Sequence, residues 1–313
     1  MIHEIAYALV PFFFSMATGY LAGKLARGTM PLSSINTMLV DYALPFALFL
    51  YTAKMQRTSL DSHLVLILLL IAVMLVPYFA SLALSRFLFK VASANAAVRA
   101  VTIGMPNFAA VGLPLLHSVY GEASDLTVAL AITTASVVMS PAGLILLERA
   151  KTRENDGAHS NLLAKALITT FVKPIVIAPL LGVMVSLAGW QLPGLMVQSL
   201  NIISSTTAGL ALFSTGLILA SQPFRLDKEV WVGVALSNVI QPLIAYLLVV
   251  VFALPKPIAG QAILLSAIPC GSFGILFGLS YGVQDTPSGT TLVASSVLSI
   301  FTLTATIFLL GYL

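Results

Sequence analysis

The sequence predicts an all-α polytopic membrane protein with ten transmembrane helices arranged as two inverted five-helix repeats. Three observations carry that expectation: scarce charge, long apolar runs and landmarks that recur between the two halves. Of the 313 residues, 59% are apolar and 8% charged, and the mean hydropathy is +1.02. A soluble domain carries about 25% charged residues to keep its surface wet, so a water-facing globule is excluded. One cysteine rules out a disulfide framework and any cysteine-based metal cluster. The net charge of +4 forms no basic stripe, so the expected partner is a lipid bilayer and not a nucleic acid.

The runs appear in order along the chain. Residues 4–24 lack a basic leader and a nearby small-residue cleavage site, and are expected to form a retained helix. Runs 33–53 and 62–89 follow, the first containing Asp41. Run 96–120 is interrupted by Gly104-Met105-Pro106-Asn107, then by Gly112 and Pro114. Run 124–147 closes the first half, and the polar stretch from Glu148 to Lys165 is expected to be a solvated loop. The second half holds 162–188, with Lys173, then 196–220, 230–253, 258–282 and 287–311. Each run is about 20 residues or more, which suits a helix through hydrocarbon and not a barrel strand of about 10. The organisation expected is a first repeat at 1–148, a cytoplasmic linker at 149–161 and a second repeat at 162–313.

Positive charge orients the spans. Lys24, Arg27, Arg86, Lys90, Arg99, Arg149, Lys151, Arg153, Lys165, Arg225 and Lys228 fall on one side, eleven in all; Lys54, Arg57 and Lys256 fall on the other. The crowded side is expected to be cytoplasmic and both termini outside, in a bacterial inner membrane.

Pro11 and Pro174, Gly19 and Gly182, and Pro106 and Pro269 are each 163 residues apart. Leu48-Phe49 recurs as Leu212-Phe213 and Tyr120-Gly121 as Tyr281-Gly282, at offsets of 164 and 161. Landmarks recurring in order favour a duplicated unit. With five spans per unit the second copy enters the membrane from the opposite side, a plan common to secondary transporters. The breaks at Pro106 and at Ile268-Pro269-Cys270-Gly271-Ser272-Phe273-Gly274 occupy corresponding mid-depth places. Proline removes a backbone donor, and unwound backbone is tolerated in a bilayer only against protein or a wet cavity. Two half-helix N-termini meeting there would present unpaired N–H groups, an anion site without a fixed cation.

The stretches Asp41-Tyr-Ala-Leu-Pro45-Phe-Ala-Leu-Phe49, Lys173-Pro174-Ile-Val-Ile-Ala-Pro-Leu-Leu-Gly182 and Ala208–Leu219, with the prolines at 106 and 269, resemble the auxin efflux carrier family. That family includes plant auxin carriers and bacterial malonate and malate permeases. The resemblance implies a fold similar to bile-acid symporters, with helices four and nine crossing and carboxylates bound beside the crossing. It implies a substrate-binding role for Pro106, Asn107, Pro269, Cys270, Gly271 and Ser272, although Cys270 stands where a second Asn would make the site symmetric. It also implies a homodimer through segments one, two, six and seven.

Asp41 and Lys173 are the ionisable residues inside predicted spans, each roughly 12–15 Å from the cytoplasmic boundary. They are expected to pair or to face a common vestibule, serving coupling or charge compensation. A sodium site wants several oxygens with a carboxylate near them, and the central spans offer no acid besides Asp41. Proton coupling through Asp41, or transport driven by membrane potential, is therefore favoured over sodium. No His-Glu-x-x-His, Gly-x-Gly-Asp or Gly-x-Ser-x-Gly motif is present, so no enzyme, metal or cofactor is expected. The function expected is secondary transport of small organic anions, dicarboxylates first.

Overall fold

The computed structural model describes residues 2–26, 31–54, 64–156, 168, 172–221 and 225–311. Arg27, Arg57 and Lys165 of the charge tally lie outside these, as do residues 157–161 of the expected linker. Among the described residues the ordered elements are helices, apart from one isolated antiparallel backbone pairing.

Helix α1 spans Ile2–Leu25. Six further helices are long and apolar enough to cross a membrane: α2 (Leu32–Ala53), α3 (Leu64–Leu88), α6 (Leu126–Lys151), α8 (Gly194–Leu217), α9 (Lys228–Val251) and α12 (Thr286–Leu310). Helix α7 (Pro174–Leu187) is apolar but only 14 residues long. The two runs marked by internal prolines are each split. The first becomes α4 (Ser93–Gly104) and α5 (Leu113–Tyr120), and the second α10 (Lys256–Ser266) and α11 (Phe273–Ser280).

Two boundaries differ from the sequence reading. The helix containing α6 continues to Asp156, so the start of the expected loop is helical. Segment six breaks at Lys173, which is extended (φ −67°, ψ 137°) because a residue before proline avoids the helical region. Lys173 therefore caps α7 and does not lie within a continuous helix.

Small residues decide which helices approach closely. A Cβ on Gly19 of α1 would lie 2.1 Å from the Phe213 carbonyl oxygen of α8, and one on Gly216 would lie 2.1 Å from the Met16 carbonyl oxygen. A Cβ on Gly182 of α7 would lie 2.6 Å from the Phe49 carbonyl oxygen of α2. In lipid, where tails are as apolar as side chains, such backbone proximity supplies the packing energy that burial supplies in water. The other helices gather around α4: α3, α6 and α11 pack on it directly, and α9 joins α3, α10 and α12.

The middle of α4 is tied by charge to the starts of α9 and α12. Arg99 donates through Nε to Asp285 Oδ2 (2.9 Å), through Nη2 to Asp285 Oδ1 (3.1 Å) and through Nη1 to Glu229 Oε2 (2.5 Å). Asp285 also caps α12 by accepting from the Ser288 N–H at 3.0 Å, so this buried carboxylate is fully engaged. Asp227 caps α9 in the same way, accepting from Val230 N–H.

Candidate functional site

The two helix breaks cross. Met105 leaves α4 in an extended conformation, and Pro106 pairs antiparallel with Cys270. The Asn107 N–H donates to the Pro269 carbonyl at 3.1 Å, and the Gly271 N–H donates to the Thr102 carbonyl at 3.2 Å. The chains meet this closely because Gly271 and Gly274 lack side chains. A Cβ on Gly271 would sit 2.3 Å from the Met105 carbonyl oxygen, and one on Gly274 2.3 Å from the Val98 carbonyl oxygen.

This changes the expectation of free amides at the crossing. The N–H groups of Asn107 and Gly271 are taken by the opposite segment, and the Cys270 N–H donates to Ser295 Oγ at 3.1 Å. Ser295 Oγ in turn donates to Asn238 Oδ1 (2.6 Å), which also accepts from Ser237 Oγ (2.8 Å), while Asn238 Nδ2 donates to the Ser295 carbonyl (3.0 Å). The physical reason is that a buried amide without a partner is costly. Asn238 and Ser295 are thus braces for the second break.

Beside the crossing lies a cavity of about 80 Å³. Pro106, Met105 and Phe108 of the first break and Phe273 at the start of α11 form one side. Leu44, Leu48 and Tyr51 of α2 and Ile175 of α7 line it too, and the hydroxyls come from Tyr51, from α6 (Ser136, Ser140) and from α8 (Ser204, Ser205, Thr207). Ser136, Ser204 and Ser205 already donate to carbonyls on their own helices. Ser140 Oγ and Thr207 Oγ1 are buried with no hydrogen-bond partner. Among the described residues no lysine, arginine, histidine, aspartate or glutamate lines this cavity.

Of the residues expected at the site, Pro106 borders the cavity, whereas Asn107, Pro269, Cys270, Gly271 and Ser272 belong to the buried crossing behind it. Ser140 and Thr207 escaped the sequence reading. Their signals were the Ser-Ser-Thr-Thr run at 204–207 inside an apolar segment, and serines four apart at 136 and 140, which share a helix face.

Asp41 and Lys173 lie near each other, within reach of mutual electrostatics, but Lys173 is held chiefly by an aromatic ring. Its Nζ is 4.2 Å from the centroid of Tyr281, and Lys151 Nζ is 5.5 Å from the same centroid. Glu148 and Asp41 are the acids facing Lys173. An ammonium at a helix N-terminus opposes the helix dipole, so this ring and these carboxylates are what hold it there. Asp41 itself is exposed, on a π-helical turn at Met38–Ala43.

Comparisons with known proteins agree with this architecture. A family model described as membrane transport protein matches residues 4–307. The chain is 30% identical over 304 residues to "Uncharacterized transporter YfdV" of Escherichia coli K12, covering 95% of this chain and 94% of that one. It is 24% identical over 321 residues to a "Putative malonate transporter" of Rhizobium meliloti, covering 98% and 96%. It is 22% identical over 361 residues to "Auxin efflux carrier component 8" of Arabidopsis thaliana, covering 99% and 98%. With a family match over nearly its whole length, and relatives that include both bacterial transporters and plant auxin carriers, the chain belongs to the auxin efflux carrier family of membrane transport proteins.

Proposed function

We propose that the protein is a secondary carrier moving small organic anions by alternating access, with the substrate bound in the cavity beside the crossed helix breaks. The observation that carries this reading is the pair of buried, unpartnered hydroxyls, Ser140 and Thr207, on that cavity's wall. A buried hydroxyl without a partner is destabilising unless a ligand uses it. Dicarboxylates such as malonate are the leading candidates, by similarity to the relative so named. Pro106, Asn107, Pro269, Cys270, Gly271 and Ser272 form and stiffen the crossing, and Asp41 and Lys173 serve coupling or charge compensation at its cytoplasmic side.

Ten spans follow if α1 and α7 cross with the six long helices and each broken pair, α4–α5 and α10–α11, crosses as one. Two repeats of inverted topology are supported by matching contacts: Gly19 lies on Phe213, and Gly182, 163 residues on, lies on Phe49, 164 residues before Phe213. The half-helices α5 and α11 both end in Tyr-Gly with a left-handed glycine, at φ +68° for Gly121 and +75° for Gly282. The lysine and arginine tally orients both termini outward in a bacterial inner membrane. Proton coupling or the membrane potential drives transport, and the protein pairs as a homodimer through α1, α2, α7 and α8.

Purified protein in vesicles, offered labelled carboxylates at varied pH, sodium and voltage, tests the reading. Saturable uptake with counterflow is expected. Flux that never saturates would indicate a channel, and no uptake of any carboxylate would refute the carrier.

A further inference from the structure

We infer that the cavity admits its substrate as a monoanion, so that a dicarboxylate enters singly protonated and carries its own proton across. The inference deepens the carrier reading and rests on it. Its basis is what lines the cavity and what does not.

Among the described residues seventeen border the cavity, and none of these has a charged side chain. The buried free donors are Ser140 Oγ and Thr207 Oγ1, contributed by α6 and α8, and the Tyr51 phenol of α2 also lines the cavity without donating to another described residue. The amides of the crossing, which could have added positive character, are spent on Pro269, Thr102 and Ser295. What remains is the N-terminus of α11, whose first residue, Phe273, is on the cavity wall. A helix end supplies the equivalent of about half an elementary charge, enough to favour one carboxylate but not two.

A charged cluster gathers around Lys173 at the start of α7, two residues before the wall residue Ile175. It comprises Lys173 and Lys151, with Asp41 and Glu148: two cations against two anions, with both ammonium groups on the Tyr281 ring. A formally balanced cluster does not neutralise an added dianion. In the Born picture the cost of moving an ion out of water rises as the square of its charge, so a dianion costs about four times as much as a monoanion. A few hydroxyl donors and one helix end favour the smaller charge. The second carboxyl, protonated, behaves as a neutral polar group, and Ser136, Ser204 and Ser205 keep acceptor lone pairs although their protons are committed. The volume of about 80 Å³ suits a short acid. Leu44, Leu48, Tyr51, Phe108 and Phe273 leave the rest of its surface in apolar contact.

The test uses the full-length protein in vesicles, with malonate and its monomethyl ester, which carries a single charge at every pH above its own carboxyl's range. Half-saturation for malonate, in total concentration, should rise about tenfold per pH unit above the pKa of its second carboxyl, and stay constant when recalculated as monoanion. The monomethyl ester should compete equally at acidic and alkaline pH. Ser140→Ala and Thr207→Val should each raise half-saturation for both ligands by about tenfold, with Thr207→Ser restoring it. Malonate half-saturation that is flat across pH would overturn the inference. So would an ester whose transport shows the same pH dependence as malonate, because the titrating group would then be on the protein, with Asp41 the first candidate. Absence of uptake for every carboxylate would instead sink the carrier reading beneath it.

Discussion

Ser295 is where one side chain decides most. Its hydroxyl accepts from the Cys270 amide and donates to Asn238, joining the second helix break to α9 and α12. Ser295→Ala should leave the Cys270 amide unsatisfied and cost about 1–3 kcal/mol, read as a lower midpoint of thermal unfolding in detergent. Cys270 offers an internal probe, since it is the single cysteine and is fully buried. A maleimide should leave it unlabelled in the folded protein and modify it in denaturant; rapid labelling of the native protein would contradict the packed crossing. The place of Cys270 within the second break was legible in the sequence. The bond from its amide was not, because nothing in a run of apolar letters reveals that residue 295 returns to the same depth.

Among the helices, backbone proximity matters more than side-chain identity. A methyl group on Gly274 would meet the Val98 carbonyl at 2.3 Å and the Thr102 amide nitrogen at 2.5 Å, neither the movable end of a side chain. Gly274→Ala should push α11 off α4 and abolish uptake while circular dichroism still reports full helix content. At Gly182 the added group would meet Thr52 Oγ1 at 1.9 Å and the Phe49 carbonyl oxygen at 2.6 Å, so Gly182→Leu should loosen α7 from α2 and lower the unfolding midpoint. The helix breaks themselves were readable, because proline cannot donate and glycine tolerates close approach. The break at Lys173-Pro174 was missed. An apolar run around a proline reads as one segment unless the residue preceding the proline is weighed separately.

For the whole molecule, the orientation argument can be checked through the same scarcity of cysteine. Lys256→Cys, placed outside by the charge tally, should react with a membrane-impermeant maleimide on intact cells. Arg225→Cys should react only after permeabilisation, and the opposite pattern would invert the topology. Composition and periodicity by themselves determined that this chain lives in a bilayer, where its helices run and where two of them break, because each of those outcomes depends on local chemistry: transfer of apolar runs from water and proline's missing donor. The tertiary structure alone decided which polar groups are spent and which are free. The crossing takes up the Asn107 backbone N–H, and packing engages the side chains of Asn238 and Ser295. Ser140 and Thr207 were left over, on a cavity whose described lining carries no charge. A hydrogen bond between residues far apart in sequence depends on the three-dimensional path of the backbone, and in a medium without water that path determines where a ligand can be bound.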